Sequence, residues 1–141
     1  MIKVKIKQLY SDIKLPEYAR PGDAGMDLYS AEEIVLNPGE RHLFKLGFAM
    51  EIPEGTVALV WDRGGMATNH GIHSIAGVID SNFRGEVCCV LYNTSAEPYA
   101  IQKGDKIAQL LIQKVEKVQW VKVDELSESA RGDKGWFSSG R

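Results

Sequence analysis

Residues 76–86, AGVIDSNFRGE, run apolar through Gly77-Val78-Ile79 into Asp80, turn at Ser81-Asn82 and restart at Phe83-Arg84-Gly85-Glu86. Short apolar runs bracketing a Ser-Asn turn predict two strands joined as a β-hairpin, with Asp80 where the first strand ends. An aspartate in that place has two readings. It can be a turn former that bonds its own backbone, or a carboxylate held ready to act as a base.

Outward from this stretch the same rhythm recurs. Apolar or alternating runs fall at 2–9, 33–36, 41–52, 57–61, 72–79, 87–93, 107–115 and 119–123, separated by turn signals such as Pro38-Gly39, Pro53-Glu54-Gly55 and Lys103-Gly104-Asp105. Spacing of about ten residues with β-branched enrichment predicts an all-β sandwich or barrel. One short helix is expected at 64–70, ahead of Gly71, and the alternation of helices with strands that a doubly wound sheet needs is absent. From Ser127 onward Gly, Ser and charges dominate, which reads as a mobile C-terminal tail over 127–141 behind a domain spanning 1–126. Trp136 and Phe137 sit oddly in such a tail, since large aromatic rings gain little in water. That favours a tail that closes over something.

Composition sets bounds. A chain of 141 residues fits one domain. A net charge of −2 and a pI near 5.9 provide no general basic field, so nucleic acid is not an expected partner, whereas a free nucleotide needs only a few local arginines. The adjacent Cys88 and Cys89 alternate to opposite sheet faces and lack metal-ligand spacing, which fits a reducing, cytoplasmic compartment. The opening MIKVKIKQLY alternates as a strand does and lacks a signal peptide's apolar core; nothing has the length of a membrane span. His42, His70 and His73 do not form a zinc ligand set.

Four further segments stand around 76–86 in order. They are Asp23-Ala24-Gly25-Met26-Asp27-Leu28; Arg63-Gly64-Gly65-Met66-Ala67 with His70-Gly71-Ile72; Gly104-Asp105-Lys106-Ile107-Ala108-Gln109-Leu110; and Arg131-Gly132 with Gly135-Trp136-Phe137-Ser138-Ser139-Gly140. This array resembles the five motifs of the trimeric deoxyuridine triphosphatases (dUTPases), from about Leu15 to Arg141. The resemblance implies a jelly-roll-like β-barrel, a homotrimer with sites shared between subunits, and magnesium-assisted hydrolysis of dUTP to dUMP and pyrophosphate. That activity limits uracil in DNA and supplies dUMP for dTMP synthesis.

By the same resemblance each motif has a role. Asp80 polarises the water that attacks the α-phosphate. The backbone from Ser74 through Gly77, Val78 and Ile79 recognises uracil, and Phe83 packs on the deoxyribose. Arg63, Gly64, Gly65 and Gln109 contact phosphates, and Asp27 reaches Mg2+ through water. Arg131, Ser138 and Ser139 grip the γ-phosphate, while Trp136 stacks on the base. Asp23 is expected to order its loop, and Asp105, Ile107 and Leu110 to be turn and core.

Several positions depart from the family pattern. Phe83 stands where tyrosine is usual, Gly64 where a serine hydroxyl is expected, Asp62 where proline is common, and Lys134 and Phe137 where glycine is. A missing charge-assisted bond at Gly64 is worth about 1.5–3 kcal/mol. Two other readings therefore stand beside the enzyme: a catalytically weakened, nucleotide-binding or regulatory homologue, and a dCTP deaminase relative. Apolar residues at 87–91 and 107–112 could line a threefold interface or simply fill the core.

Overall fold

The computed structural model describes residues 1–136. Its strands are β1 (Lys5–Gln8), β2 (Met26–Tyr29), β3 (Ile34–Leu36), β4 (Arg41–Glu51), β5 (Thr56–Trp61), β6 (Ile72–Ile75), β7 (Val78–Ile79), β8 (Glu86–Asn93), β9 (Tyr99–Ile101) and β10 (Lys106–Lys114), with one helix, α1 (Gly64–His70). Period-two patterning decides which faces turn inward. In β8, Val87, Cys89, Leu91 and Asn93 are buried and their neighbours are not; in β5, Thr56, Ala58 and Val60 are.

Two four-stranded antiparallel sheets result, ordered β1-β4-β8-β6 and β2-β10-β5-β7, while β3 and β9 make a short pair of their own. The core lies between the large sheets, where Phe44, Phe48, Cys89 and Leu91 of one meet Leu28, Ala58, Val60 and Leu110 of the other. The all-β, jelly-roll-like expectation holds, as two open sheets. The apolar residues of 87–91 and 107–112 are largely core: Val87, Leu91, Ile107, Ala108 and Leu110 are buried. Helix α1 ends as expected, with Gly71 in the left-handed region (φ 64°) and its N–H bonded to the carbonyls of Ala67 and Met66.

Two expectations need correcting. The flanks of Asp80 do not pair as a hairpin, because β7 pairs with β5 while β6 and β8 lie in the other sheet. Residues 74–80 are a corner between sheets: Ala76 (φ 61°) and Gly77 (φ 108°) turn the chain out of one and into the other. Residues 119–123 form no strand: none of the described residues pairs with them, and their side chains are exposed. Two short strands, β2 and β9, carried too few alternating residues to stand out from the loops around them.

The corner depends on Gly77. A Cβ there would sit 2.8 Å from the Val60 carbonyl oxygen, on a backbone that L side chains rarely adopt. Gly77→Ala is expected to lower unfolding free energy by about 2 kcal/mol or more. Urea titration checks this, and a loss under about 0.5 kcal/mol, the level of an ordinary surface change, contradicts it.

Candidate active site

The link from β5 to α1 is only two residues, Asp62 and Arg63. Arg63 is the N-cap residue, in extended conformation (φ −85°, ψ 123°), and no side chain caps the helix. Its Nη1 donates to the Lys106 carbonyl at 3.1 Å, and its Nε lies 3.8 Å from Asp27 Oδ1. The other Asp27 oxygen pairs with Lys106 Nζ at 2.6 Å. Two cations thus share one half-buried carboxylate beside a cleft of about 380 Å³ whose lining includes Arg63, Tyr99, Gly104, Asp105 and Lys106. Beneath it burial, with a hydrogen bond to Glu17, pushes the Tyr29 hydroxyl up to about 12, so it stays a donor at neutral pH.

Gln109 braces the link. Its Nε2 donates to the Asp62 carbonyl at 2.8 Å, and its side chain lies against Gly25, where a Cβ would come within 2.3 Å of Oε1. Glycine at 25 is therefore what lets Gln109 reach. Gly64 and Gly65 face open space, so their backbone is accessible in the helix's first turn. Asp23 orders its loop, accepting from the Arg20 N–H at 2.9 Å; Asp105 caps a turn through the Gln102 N–H, and Ile107 and Leu110 are core.

The Asp62 side chain points away from the helix. Oδ1 accepts from the Ser74 N–H at 2.5 Å, and Oδ2 lies 2.6 Å from His73 Nδ1. Burial acts to raise this carboxyl, but the bonds from Ser74 and His73 outweigh it and hold it below its ordinary value.

Asp80 and Phe83 lie on a second cleft of about 310 Å³, with Leu43, Val78, Ile79 and Cys88. Asp80 is exposed, its carbonyl closing the turn by accepting from the Phe83 N–H at 3.1 Å. The Phe83 ring is 43% exposed and folds over Gly85, so it is not core filler. Strand β7 is the outer strand of its sheet, which leaves one side of its backbone unpaired with β5.

The two clefts share no lining residue. Ile79 pairs with Ala58 and Val78 with Leu59, which sets Asp80 opposite Val57, while Arg63 follows the far end of β5. At the rise of an extended chain, Val57 to Arg63 spans about 20 Å. Asp27, Arg63 and Gln109 are brought together within one chain; Asp80 and Phe83 are not brought to them.

Arg131 donates through Nε to the Lys134 carbonyl at 3.1 Å and through Nη2 to that of Gly135 at 3.0 Å, and Trp136 is 92% exposed. Ser138 and Ser139, with Phe137, lie outside the described residues.

The family model described as dUTPase matches residues 11–140 of this chain. The chain belongs to the dUTPase family. Among curated relatives, the deoxyuridine 5'-triphosphate nucleotidohydrolase of Thermobifida fusca (strain YX) is 46% identical over 142 residues, covering 99% of this chain and 79% of its own. That of Anaplasma marginale (strain St. Maries) is 43% identical, covering 99% of both chains. Among solved structures, the Staphylococcus bacteriophage 80alpha dUTPase with dUPNHPP superposes with a TM-score of 0.92 at 30% identity over 99% of each chain. A mutant dUTPase from phage phi11 of S. aureus, described with a coordinated structural Mg(II) ion, matches with a TM-score of 0.83 at 26% identity, covering 89% of this chain and 99% of its own.

Within this dUTPase-family chain, three residues near the site were not assigned from sequence. Lys106 lies inside a motif whose pattern gives it no role of its own. His73 carries no ligand-set spacing in the sequence. Asp62 was visible as a departure from proline, but the partners that give it a purpose are eleven to twelve residues away.

The Asp62 bonds carry a pH signature. A carboxyl held below its unfolded value stabilises the fold above that value and ceases to do so as pH falls through the folded one. The stability advantage of wild type over Asp62→Asn should therefore be constant at neutral pH and shrink below about pH 4. Urea unfolding across that range measures it; a gap that stays constant into acid contradicts the assignment.

Proposed function

We propose that the chain hydrolyses dUTP to dUMP and pyrophosphate, with the base on one subunit serving phosphate-binding residues on another. The observation that carries this is the placement of Asp80 about 20 Å along β5 from Arg63. A general base must lie within hydrogen-bond reach of the proton it takes, directly or through one water. One chain alone does not bring Asp80 to Arg63, which supports a homotrimer with shared sites.

In this reading Asp80 holds a water by its carboxylate. The water oxygen attacks the α-phosphorus, its proton passes to Asp80, and the bond to the bridging oxygen of the β-phosphate breaks to release pyrophosphate. Arg63 and the accessible Gly64 and Gly65 amides receive phosphate oxygens, since a guanidinium forks onto oxyanions. Gln109 spends one N–H on the Asp62 carbonyl and keeps a second to donate. The outer backbone of β7, with Ser74 and Gly77 behind it, offers fixed donors and acceptors to uracil, and the half-exposed Phe83 ring offers a face to deoxyribose. Arg131 and Trp136, with Ser138 and Ser139, complete the site from the tail as a closing segment behind the 1–126 domain.

Magnesium suits the donor set in one way. Among the described residues no cluster of three carboxylate, histidine or cysteine side chains forms a cage. Asp27 has both oxygens engaged by Arg63 and Lys106, which fits contact through water, the phosphates supplying direct ligands. When bound, the ion neutralises charge on the phosphate chain and the leaving pyrophosphate.

The trimer has a second support. Trp120 is 91% exposed and Leu126 89%, on an extended segment with Val118 and Val121 that gains nothing in water. An apolar groove of about 390 Å³, lined by Ile2, Val4, Ile6, Tyr18, Met26 and Ile112, is also uncovered. Cover from another copy satisfies both. Free Cys88 and Cys89 suit a reducing, cytoplasmic setting, and no helix of the described residues is long and apolar enough to cross a membrane.

Pyrophosphate release from dUTP, UTP, dCTP and dTTP with Mg2+ tests the proposal. Only dUTP should turn over quickly, and Asp80→Asn should lower that rate by about two to four orders of magnitude while keeping the fold. Ammonia from dCTP, or tight dUTP binding without turnover, would instead favour the deaminase or the regulatory reading.

A further inference from the structure

An aspartate just ahead of a helix ordinarily caps it, accepting from the free N–H groups of the first turn. Asp62 does something else. The N-cap position is Arg63, it carries no side-chain cap, and the Asp62 carboxylate turns away to β6. There it takes the Ser74 N–H on one oxygen and the His73 ring on the other, while its own carbonyl takes Gln109 Nε2 from β10. Since β6 and β10 belong to different sheets, Asp62 is tied to both halves of the sandwich at once. Its immediate neighbour is the arginine of the phosphate cleft.

We propose that Asp62 is a positioning residue for Arg63: its bonds to Ser74, His73 and Gln109 fix the two-residue link so that the guanidinium is presented to phosphate without a search. The physical case rests on length and on what holds the link. Arg63 itself has one direct bond, to the Lys106 carbonyl, and a looser approach to Asp27 at 3.8 Å. A long side chain on an unanchored connection would lose conformational freedom each time phosphate bound, and that loss subtracts from affinity. Anchoring the preceding residue from two sheets removes much of it beforehand. Gln109 and the Ala67 N–H hold only the Asp62 and Arg63 carbonyls, both within reach of β5 and α1, whereas the Asp62 carboxylate adds the tie to β6.

The proposal rests on the dUTP reading, and its test separates the two. Affinity for a non-hydrolysable dUTP analogue with Mg2+ is measured by calorimetry for the wild type, Asp62→Ala, Asp62→Asn, Arg63→Ala and the Asp62→Ala/Arg63→Ala double variant. Asp62→Ala should weaken binding about tenfold, and Asp62→Asn, which keeps an acceptor for the Ser74 N–H, should recover to within about threefold of wild type. In the Arg63→Ala background the Asp62→Ala change should add less than about twofold, because residues that act through one another do not add. An undiminished tenfold loss in that background, or no loss from Asp62→Ala alone, overturns the positioning role. A wild-type chain that binds no analogue overturns the nucleotide reading and this inference with it.

Discussion

Strand β5 is the measuring rod of this molecule. It pairs with β10 along one side and with β7 along the other, and both registers are fixed by the alternation that buries Ala58 and Val60. A one-residue slip would turn those side chains outward, so the register is strongly specified. With it the positions of Asp80 at one end and Arg63 at the other are specified too. Neither can move toward its counterpart without unpairing the sheet, and in the proposed reading chemistry that needs both recruits a second chain.

Local charge follows from the same frame. Asp27 on β2 and Gln109 on β10 are direct partners in the ladder, which sets Asp27 between Arg63 and Lys106 and lets Gln109 reach the Asp62 carbonyl. Gly25 leaves room for that reach and Gly77 for the corner behind β5. Each glycine sits where backbone or a polar side chain passes too close for a Cβ. In the proposed reading the phosphate side of the site is prepared within a chain, by side chains whose partners are already in place. The proposed base side is a corner with an open backbone edge and an exposed carboxylate. In the trimer reading, one chain's Arg63 and its own Asp80 corner serve different sites, and Asp62 to Ser74 is a direct hydrogen bond between those two regions.

Much of this was legible in the sequence because period two and turn chemistry act locally. Strands β4, β5, β8 and β10 lie within about a residue of the runs that predict them, and α1 coincides with 64–70. Partnership between strands was not legible. The 72–79 run reads as one strand, and only the positive φ at Ala76 and Gly77 reveals that it leaves one sheet for another. Residues 119–123 have a strand's pattern but no partner among the described residues, and period two says nothing about where a partner comes from. Site residues whose chemistry is carried by the side chain, such as Asp80 and Arg63, stood out in recognisable motifs. Asp62 did not, because its role depends on His73 and Ser74 arriving from another strand.

Subunit mixing tests the shared site most directly. Asp80→Asn and Arg63→Ala chains, each expected to be nearly inactive, are unfolded together, refolded at equal ratio and assayed for pyrophosphate release from dUTP. If an Asp80 from one subunit serves the Arg63 of the next, about a quarter of the sites in randomly mixed trimers join two intact contributions, and activity returns in proportion. Activity no greater than that of the two variants refolded separately would place both residues in a single-chain site and contradict this account.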